Sequence, residues 1–190
     1  MSAVGRLAPT PSGDLHLGNI CAFAAAYLSV RQSGGRLIYR NEDVDRERSR
    51  PHIAARQQED LRWLGFDWDQ EVSPQSLRDY SPWLKRIGQD CYYCTCTRKV
   101  IHQNKGVHPK DCRKRAHDEG AIRFALPDRD VRFIDRKFGE KASVLSTFDD
   151  PVLRRRDGMW SYNMAVVADD IADGVTEVVR GADLLDHTAL

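Results

Sequence analysis

The sequence predicts an α/β fold built on a parallel sheet. Stretches typical of strands and helices alternate over the first third of the chain, and a turn rich in proline and glycine follows the first strand. Such alternation favours parallel strands joined by right-handed crossovers, with ligands bound beyond the carboxyl ends of the strands. With 190 residues and 41% hydrophobic content, the chain can bury a sizeable core in one domain that carries an inserted module.

The first strand and helix lie within the first 34 residues. We expect a short strand in GRLAP, residues 5–9, and a helix in the alanine- and leucine-rich stretch NICAFAAAYLSVRQSG, residues 19–34. Gly34 and Gly35 would close this helix, because glycine adopts the left-handed backbone that follows many helix ends.

A second strand and helix follow at once. The strand is predicted in RLIYRNED, residues 36–43, which is apolar and β-rich at its start. The helix is predicted over 51–64 and begins at a proline, which suits a first helical position. Four of its residues are spaced along one side: Ile53, Gln57, Leu61 and Leu64.

Charge and cysteine usage narrow the function classes. Lys and Arg number 29 against 28 Asp and Glu, so a net charge of +1 gives no global attraction to nucleic acid or membrane, and any such contact needs a local patch. Neither a membrane span nor a signal-peptide pattern is found, so we expect a cytoplasmic protein that does not bind membranes. Four of the five cysteines fall within residues 91–112, which indicates metal binding more than a disulfide framework.

The turn APTPSGDLHLGN, residues 8–19, predicts an anion site. Its prolines stiffen the backbone and Gly13 allows a tight turn, so a helix can start abruptly near Leu17 or Gly18. The exposed N–H groups of a helix start favour a phosphate, and Gly18 lets an anionic or flat ligand come close. His16 would donate to that phosphate. Alternatively, His16 only caps or packs the turn.

The cysteine-rich segment predicts a zinc site. The thiolates of Cys94, Cys96 and Cys112 with the imidazole of His108 form a set that suits tetrahedral zinc, and four protein ligands make the ion structural. Removing it should unfold the segment. Two alternatives stay open: a cluster of free thiols, and Cys91 as one of the ligands.

Four stretches spread along the chain resemble the class I glutamyl-type aminoacyl-tRNA synthetases. They are GRLAPTPSGDLHLG at 5–18, with HLGN at the place of the HIGH motif, YRNEDVDRERS at 39–49, YYCTCTR at 92–98, and RRRDGMWSYNMAVVADDIADGVTEVVRGADLL at 154–185. The resemblance implies a Rossmann-like (HUP-type) nucleotide-binding sheet with an inserted zinc-binding, acceptor-stem-like module.

The resemblance also implies a division of the chain. Residues 1–90 would form the first half of the nucleotide-binding fold, residues 91–145 the zinc-binding insertion, and residues 146–190 the start of the second half. The chain is too short for a helical anticodon-binding domain, and its Cys/His module is compact. It is most similar to the truncated branch of the family that attaches glutamate to queuosine in the anticodon of tRNA(Asp). Family members often have Tyr at the third ligand position, so His108 is a departure that should strengthen metal binding.

Site residues are implied by the same resemblance. The glutamate contacts map to Arg6, Leu7, Ala8, Pro9, Thr10, Glu42, Tyr162 and Arg180. The ATP contacts map to His16, Gly18 and Asn19, of which the first two are the catalytic candidates. A dicarboxylic amine needs an acidic group and at least one guanidinium, so Glu42 would face the ammonium and the two arginines would hold the carboxylates, in an order left open. Thr10 stands where the family usually has Ser, and the shared hydroxyl should leave little change. Taken singly, each charge could also be a solvated surface group.

The implied reaction is activation of glutamate by ATP with Mg²⁺, followed by transfer to tRNA. One family signature is missing: no Lys-x-Ser-Lys loop occurs, so we expect either a shortened chain or a natural remnant whose C-terminal remainder is absent. The competing functions are therefore an active enzyme, a glutamate- or nucleotide-binding remnant with weak or no catalysis, and a fragment of a glutamyl-tRNA synthetase.

We expect a monomer. A patch of basic residues is the candidate contact for tRNA. The patch comprises Arg98, Lys99, Lys105, Lys110, Arg113, Lys114 and Arg115 near the zinc ligands, with a second cluster at residues 154–156. An ordinary charged surface is the alternative. The four tryptophans, Trp63, Trp68, Trp83 and Trp160, are expected to be core or half-buried residues rather than stacking platforms.

Overall fold

A parallel three-stranded sheet organises the N-terminal part of the computed structural model, which describes residues 2–105 and 107–190. Its strands are β1 (Val4–Leu7), β2 (Arg36–Tyr39) and β3 (Gln70–Glu71), in that spatial order. Arg6 pairs with Ile38, and Ile38 pairs with Gln70. The predicted α/β class and parallel pairing are confirmed, whereas β3 was not predicted because its two residues, Gln and Glu, lack β-forming character.

Two helices connect these strands. The first, α1 (Leu17–Gln32), starts where the turn predicted it and is followed by Gly34 at φ +64°, in the left-handed region. The second, α2 (Pro51–Trp63), has proline at its first position. Three of the four residues on its predicted inner face are buried, namely Ile53, Gln57 and Leu61. The prediction was wrong for Leu64, which is 40% exposed because the helix has ended before it.

The core of this sheet is a cluster of apolar side chains from β1, β2 and both helices. Its buried members are Leu7, Ala26, Val30, Leu37, Tyr39 and Leu61. Trp68 stacks on Tyr39 with 4.8 Å between ring centroids, and the guanidinium of Arg62 lies 4.8 Å from the Trp68 ring. Trp63 points the other way and is 85% exposed, so the expectation of a buried or half-buried side chain was wrong there, while Trp68, Trp83 and Trp160 are half-buried.

The chain divides into two compact units. The first comprises the residues up to Tyr80 together with Ala165–Ala182, and the second comprises Ser81–Met164 and Asp183–Leu190. Helix α5 (Tyr162–Ala172) starts in the second unit and ends in the first. Within the described residues, no helix has the length and apolar character needed to cross a membrane.

The second unit is built on short antiparallel strands. One sheet has the order β4 (Cys91–Cys94), β5 (Ala121–Phe124) and β8 (Val152–Arg154). A hairpin pairs β6 (Asp130–Asp135) with β7 (Gly139–Val144). Two short helices, α3 (Ser81–Ile87) and α4 (Arg98–Gln103), complete it. The metal-ligand candidates lie along β4 and in the segment that follows.

Candidate functional site

His16 caps the start of α1. Its Nδ1 accepts a hydrogen bond from the backbone N–H of Gly18 at 3.1 Å, and the side-chain oxygen of Asn19 accepts from the N–H of His16 at 3.2 Å. The capping role that the sequence left open is therefore present. A neutral imidazole that accepts at Nδ1 carries its proton on Nε2, so the exposed ring keeps one donor at the helix start.

Gly18 makes room for this cap. A Cβ built on it would lie 3.0 Å from Cε1 and 3.1 Å from Nδ1 of His16. A side chain at position 18 would therefore crowd the His16 imidazole that caps the helix. The glycine has a structural reason here, and its role toward a ligand stays a prediction.

Gln57 holds the turn that precedes the helix. Its buried side-chain amide, on α2, donates to the carbonyls of Thr10 at 3.1 Å and Gly13 at 2.6 Å. The backbone N–H of Arg50 donates to the carbonyl of Pro11 at 3.0 Å. The residue before α2 and the centre of α2 thus hold the backbone of the anion-site turn, and this role of Gln57 was not predicted.

Arg6 and Glu42 are both buried at the carboxyl end of the sheet, with 6% and 4% exposure. Arg6 lies one residue before the end of β1, and Glu42 follows β2, its backbone N–H donating to the carbonyl of Pro9 at 3.0 Å. β1 and β2 are neighbours in the parallel sheet, so the topology brings a guanidinium and a carboxylate to the same end of the sheet, and their role toward glutamate stays a prediction.

Asp170, on α5, orients Arg6. The Nε of Arg6 donates to both carboxylate oxygens of Asp170, at 3.0 and 3.2 Å, and its Nη1 donates to the carbonyl of Val179 at 3.4 Å. Arg180 follows Val179 directly and is half-buried. The backbone next to Arg180 therefore lies against the guanidinium of Arg6.

Arg40 is the fully buried centre of the charge network around this site. Its Nη2 donates to Glu42 at 3.2 Å and to Asp170 at 2.6 Å, and its Nη1 donates to Asp173 at 2.9 Å. Arg78 donates to Asp173 at 3.0 Å and to Asp169 at 3.1 Å. Each buried charge thus has an opposite partner, which removal from water requires.

Burial shapes the proton affinities in this network. Burial raises the pKa of Glu42, although the nearby guanidinium groups of Arg40 and Arg6 act in the opposite direction. Burial also raises the pKa of Asp169, which accepts from Gln75 at 2.9 Å and from the hydroxyl of Tyr80 at 3.1 Å. For Arg40, burial works against the charged form, and the carboxylates of Glu42 and Asp170 nevertheless raise its pKa.

The other predicted glutamate contacts fall in different environments. The side chain of Leu7 is in the apolar core, and its carbonyl accepts from the N–H of Arg40 at 3.0 Å. Both groups of Leu7 are therefore engaged within the fold. Ala8 is half-buried, Pro9 is buried and Thr10 is exposed. Tyr162 is the first residue of α5, 40% exposed, and belongs to the second compact unit.

Sequence analysis missed the residues that complete the charge network: Arg40, Arg78, Asp169, Asp170 and Asp173. One signal was available. Three carboxylates, Asp169, Asp170 and Asp173, interrupt an apolar stretch, and carboxylates that pack against a core require cationic partners. The partners themselves come from distant segments, which the pattern does not reveal.

The four predicted metal ligands converge in the second unit. The ligand atoms of Cys94, Cys96, His108 and Cys112 all lie within 4.8 Å of one another. Cys91 stands apart, with its thiol donating to the carbonyl of Ile87 at 3.4 Å. Burial lowers the pKa of His108, which favours the neutral imidazole that a metal requires. A Cys3His set of this size is compatible with tetrahedral zinc.

Acidic residues support the metal-ligand segment. The backbone N–H of His108 donates to the carboxylate of Asp149 at 3.1 Å. Asp150, which is fully buried, accepts from the hydroxyl of Tyr92 at 2.7 Å and from Nε of Arg113 at 2.6 Å. The guanidinium of Arg113, counted in the basic patch, is therefore committed to Asp150 within the fold.

Comparison with known proteins agrees with these features. The family model described as tRNA synthetases class I (E and Q), catalytic domain, matches residues 3–119 and 84–190. Proteins named Glutamyl-Q tRNA(Asp) synthetase are similar over almost the whole chain. The one from Pseudomonas fluorescens is 44% identical over 98% of this chain and 65% of its own length. The one from Nitratidesulfovibrio vulgaris is 42% identical over 97% and 67%. The chain thus spans just under two thirds of the first of these relatives.

Solved structures agree on the fold. A glutamate tRNA ligase from Elizabethkingia meningosepticum, crystallised in complex with its amino acid, superposes with a TM-score of 0.84 at 26% identity. The match covers 100% of this chain and 45% of that protein. Together with the parallel sheet, the capped helix start and the Cys3His cluster, these matches show that the chain belongs to the class I glutamyl- and glutaminyl-type tRNA synthetase catalytic-domain family.

Proposed function

We propose that this chain activates glutamate with ATP and transfers it to queuosine in the anticodon of tRNA(Asp). The names of the relatives support the reaction and the acceptor. The observation that carries the proposal is the burial of Arg6 and Glu42 together at the carboxyl end of β1 and β2. A site that holds a guanidinium and a carboxylate away from water suits a small amino acid with opposite charges.

Each charged group of glutamate has a partner in this proposal. Glu42 binds the ammonium, and Arg6 and Arg180 bind the two carboxylates. Nη2 of Arg6 is left to donate to one of them, since Nε and Nη1 face Asp170 and Val179. Thr10 completes the glutamate site through its hydroxyl group.

The helix start binds ATP. In the first step, an α-carboxylate oxygen of glutamate forms a bond to the α-phosphorus of ATP, and the bond from that phosphorus to the leaving pyrophosphate breaks. Charge spreads over the phosphate oxygens, so positioning and donors are what the protein supplies, with Mg²⁺ bound to the nucleotide. The Nε2–H of His16 and the N-terminus of α1 at Gly18 and Asn19 supply these donors.

The second step transfers the activated glutamyl group. A hydroxyl oxygen of the queuosine ring attacks the glutamyl carbonyl carbon, its proton leaves, and AMP is released. This step needs no nucleophilic side chain. Cys94, Cys96, His108 and Cys112 would hold a structural zinc ion that keeps the inserted segment folded, and four protein ligands leave no position for a reacting water.

The exposed cations around the metal-ligand segment are the proposed tRNA contact. Seven of the predicted basic residues are exposed: Arg98, Lys99, Lys105, Arg113, Lys114, Arg115 and Arg156. Of these, Arg113 pairs with Asp150, Arg115 pairs with Asp111, and Arg156 donates to the carbonyl of Thr95. Lys110 donates to the carbonyl of Ser146 at 2.8 Å, and Arg155 pairs with Asp157 at 2.7 Å, so these two have partners within the fold. Binding to phosphates through the exposed set should weaken as salt rises.

Two assays on the intact chain test this function. The first measures glutamate-dependent exchange of labelled pyrophosphate into ATP. The second measures transfer of labelled glutamate to tRNA(Asp) with and without queuosine. We expect exchange with glutamate and not with glutamine, and transfer only to the modified tRNA. Glutamate binding without exchange would contradict the enzymatic function, and equal transfer to unmodified tRNA would contradict the acceptor.

A further inference from the structure

Arg6 and Glu42, the two charged groups at the carboxyl end of the sheet, are held by Asp170 and Arg40. Asp170 accepts from Nε of Arg6 on one side and from Nη2 of Arg40 on the other, both at its Oδ1. The same Nη2 of Arg40 donates to Glu42 at 3.2 Å. The chain of contacts therefore runs from Arg6 through Asp170 and Arg40 to Glu42, within one compact unit.

This arrangement leaves little freedom to either Arg6 or Glu42. Arg40 is fully buried, and Asp170 has only 18% of its side chain exposed. Rotation of the Arg6 guanidinium would break its hydrogen bonds to Asp170, and movement of Glu42 would leave Arg40 with an unpaired donor in the interior. Both losses are costly for buried charged groups.

We propose that Asp170 and Arg40 are positioning residues that fix the separation and orientation of Arg6 and Glu42 for the carboxylate and ammonium groups of glutamate. This inference rests on the proposed function. Asp170 accepts hydrogen bonds from Arg6 and Arg40, and in this proposal it acts through them. It acts by holding Nε of Arg6 so that the remaining N–H groups point to the ligand, and by tying Arg40 to the same point.

Asp173 provides a matched control. It belongs to the same network and accepts from Arg40 at 2.9 Å and from Arg78 at 3.0 Å. Its hydrogen bonds run to Arg40 and Arg78, whereas Arg6 donates to Asp170. Asp170→Asn and Asp173→Asn therefore both remove a carboxylate from the network, and only the first removes the anchor of Arg6.

The experiment measures L-glutamate affinity by titration calorimetry and stability by urea unfolding for the wild type and both variants. We expect Asp170→Asn to weaken glutamate binding by about tenfold or more, the effect of a lost charge-assisted hydrogen bond. Asp173→Asn also removes a hydrogen-bond partner of Arg40 but leaves Arg6 bound to Asp170, so it should weaken glutamate binding less than Asp170→Asn does, even where its urea midpoint falls as far. The difference in affinity at matched stability is the readout that a merely structural role would not produce.

The outcomes separate the two proposals. Absence of glutamate binding by the wild-type chain contradicts the proposed function. Binding by the wild type with equal affinity in Asp170→Asn, or equal losses in both variants, overturns the positioning role alone. If Asp170→Asn does not fold, Asp170→Glu keeps the charge and displaces it by one methylene, and wild-type affinity in that variant likewise overturns the proposal.

Discussion

The side-chain amide of Gln57 donates to the carbonyl of Thr10 at 3.1 Å, which ties the centre of α2 to the turn before α1. A second hydrogen bond from the same amide reaches Gly13 at 2.6 Å. The conformation of the proposed anion site is thus set by a residue 44 positions further along the chain. The local prolines and glycine permit this turn, and Gln57 selects it.

Replacing Gln57 should loosen the turn and the fold together. Gln57→Leu keeps the side-chain volume but removes two hydrogen bonds from a buried amide to the backbone of the turn, so we expect a loss of about 1 to 3 kcal/mol in the free energy of unfolding. Urea unfolding measures it. Gln58→Leu is the control, since Gln58 makes a single surface hydrogen bond to Glu71, and its effect should stay within about 0.5 kcal/mol. Equal losses of stability in the two variants would contradict the role of Gln57 in holding the turn.

A substitution at His16 separates capping from catalysis. Asn is a stronger helix cap than most residues, so His16→Asn should keep stability within about 0.5 kcal/mol, while His16→Ala should lose about 1 kcal/mol. Both variants lack the Nε2 donor and should lower the pyrophosphate-exchange rate about 100-fold. Urea unfolding and the exchange assay measure the two effects. If His16→Asn exchanged pyrophosphate at the wild-type rate, His16 would act only as a helix cap.

Glu42 gives the fold a specific pH dependence. Burial raises its pKa in the folded state, so the folded chain binds this proton more tightly than the unfolded chain does. The stability that Glu42 contributes is complete below the unfolded pKa of about 4.3, and it is lost as the pH rises from there through the folded pKa. Relative to Glu42→Gln, which does not titrate, the wild type should therefore become less stable on going from pH 4 to pH 7.

The measurement is the difference in unfolding free energy between the wild type and Glu42→Gln at a series of pH values. Subtracting the two curves removes the titration of all groups that they share. A difference that stays constant, or that favours the wild type as pH rises, would contradict a raised pKa for Glu42. Glu42→Gln should also bind L-glutamate weakly, because the ammonium loses its counter-charge.

Metal binding should depend on the residues of the Cys/His cluster and not on Cys91. We expect one equivalent of zinc per chain. A chelator should remove the metal, and the metal-ligand segment should then lose its ordered structure. Cys112→Ser should lose the metal, whereas Cys91→Ser should retain it because Cys91 bonds to Ile87 outside the cluster. Metal analysis and protease sensitivity of the two variants provide the comparison. Retention of a full equivalent by Cys112→Ser would contradict the ligand set.

Local signals made the first half of the fold predictable. Pro51 marks the start of α2, Gly34 follows α1 in the left-handed region, and the apolar start of β2 identifies a buried strand. Strand β3 escaped because its two residues carry polar side chains and pair only through their backbone. The Cys/His cluster was predictable because the spacing and the chemistry of its residues are both distinctive.

The charge network was not predictable from local pattern. Arg40 and Asp170 lie 130 positions apart, and only the folded topology places their side chains 2.6 Å from each other. The predicted pair of Arg6 and Glu42 came from a family resemblance, and the structure adds the residues that hold the pair. Long-range ion pairs leave no periodic trace in sequence, since each partner alone resembles a surface charge.

The most direct test of the account is a crystal structure of the chain with L-glutamate and a non-hydrolysable ATP analogue. We expect the amino acid at the carboxyl end of β1 and β2, with its ammonium on Glu42 and a carboxylate on Arg6, and the phosphates at the N-terminus of α1. Glutamate bound elsewhere, with Arg6 and Glu42 still joined only to Asp170 and Arg40, would contradict it.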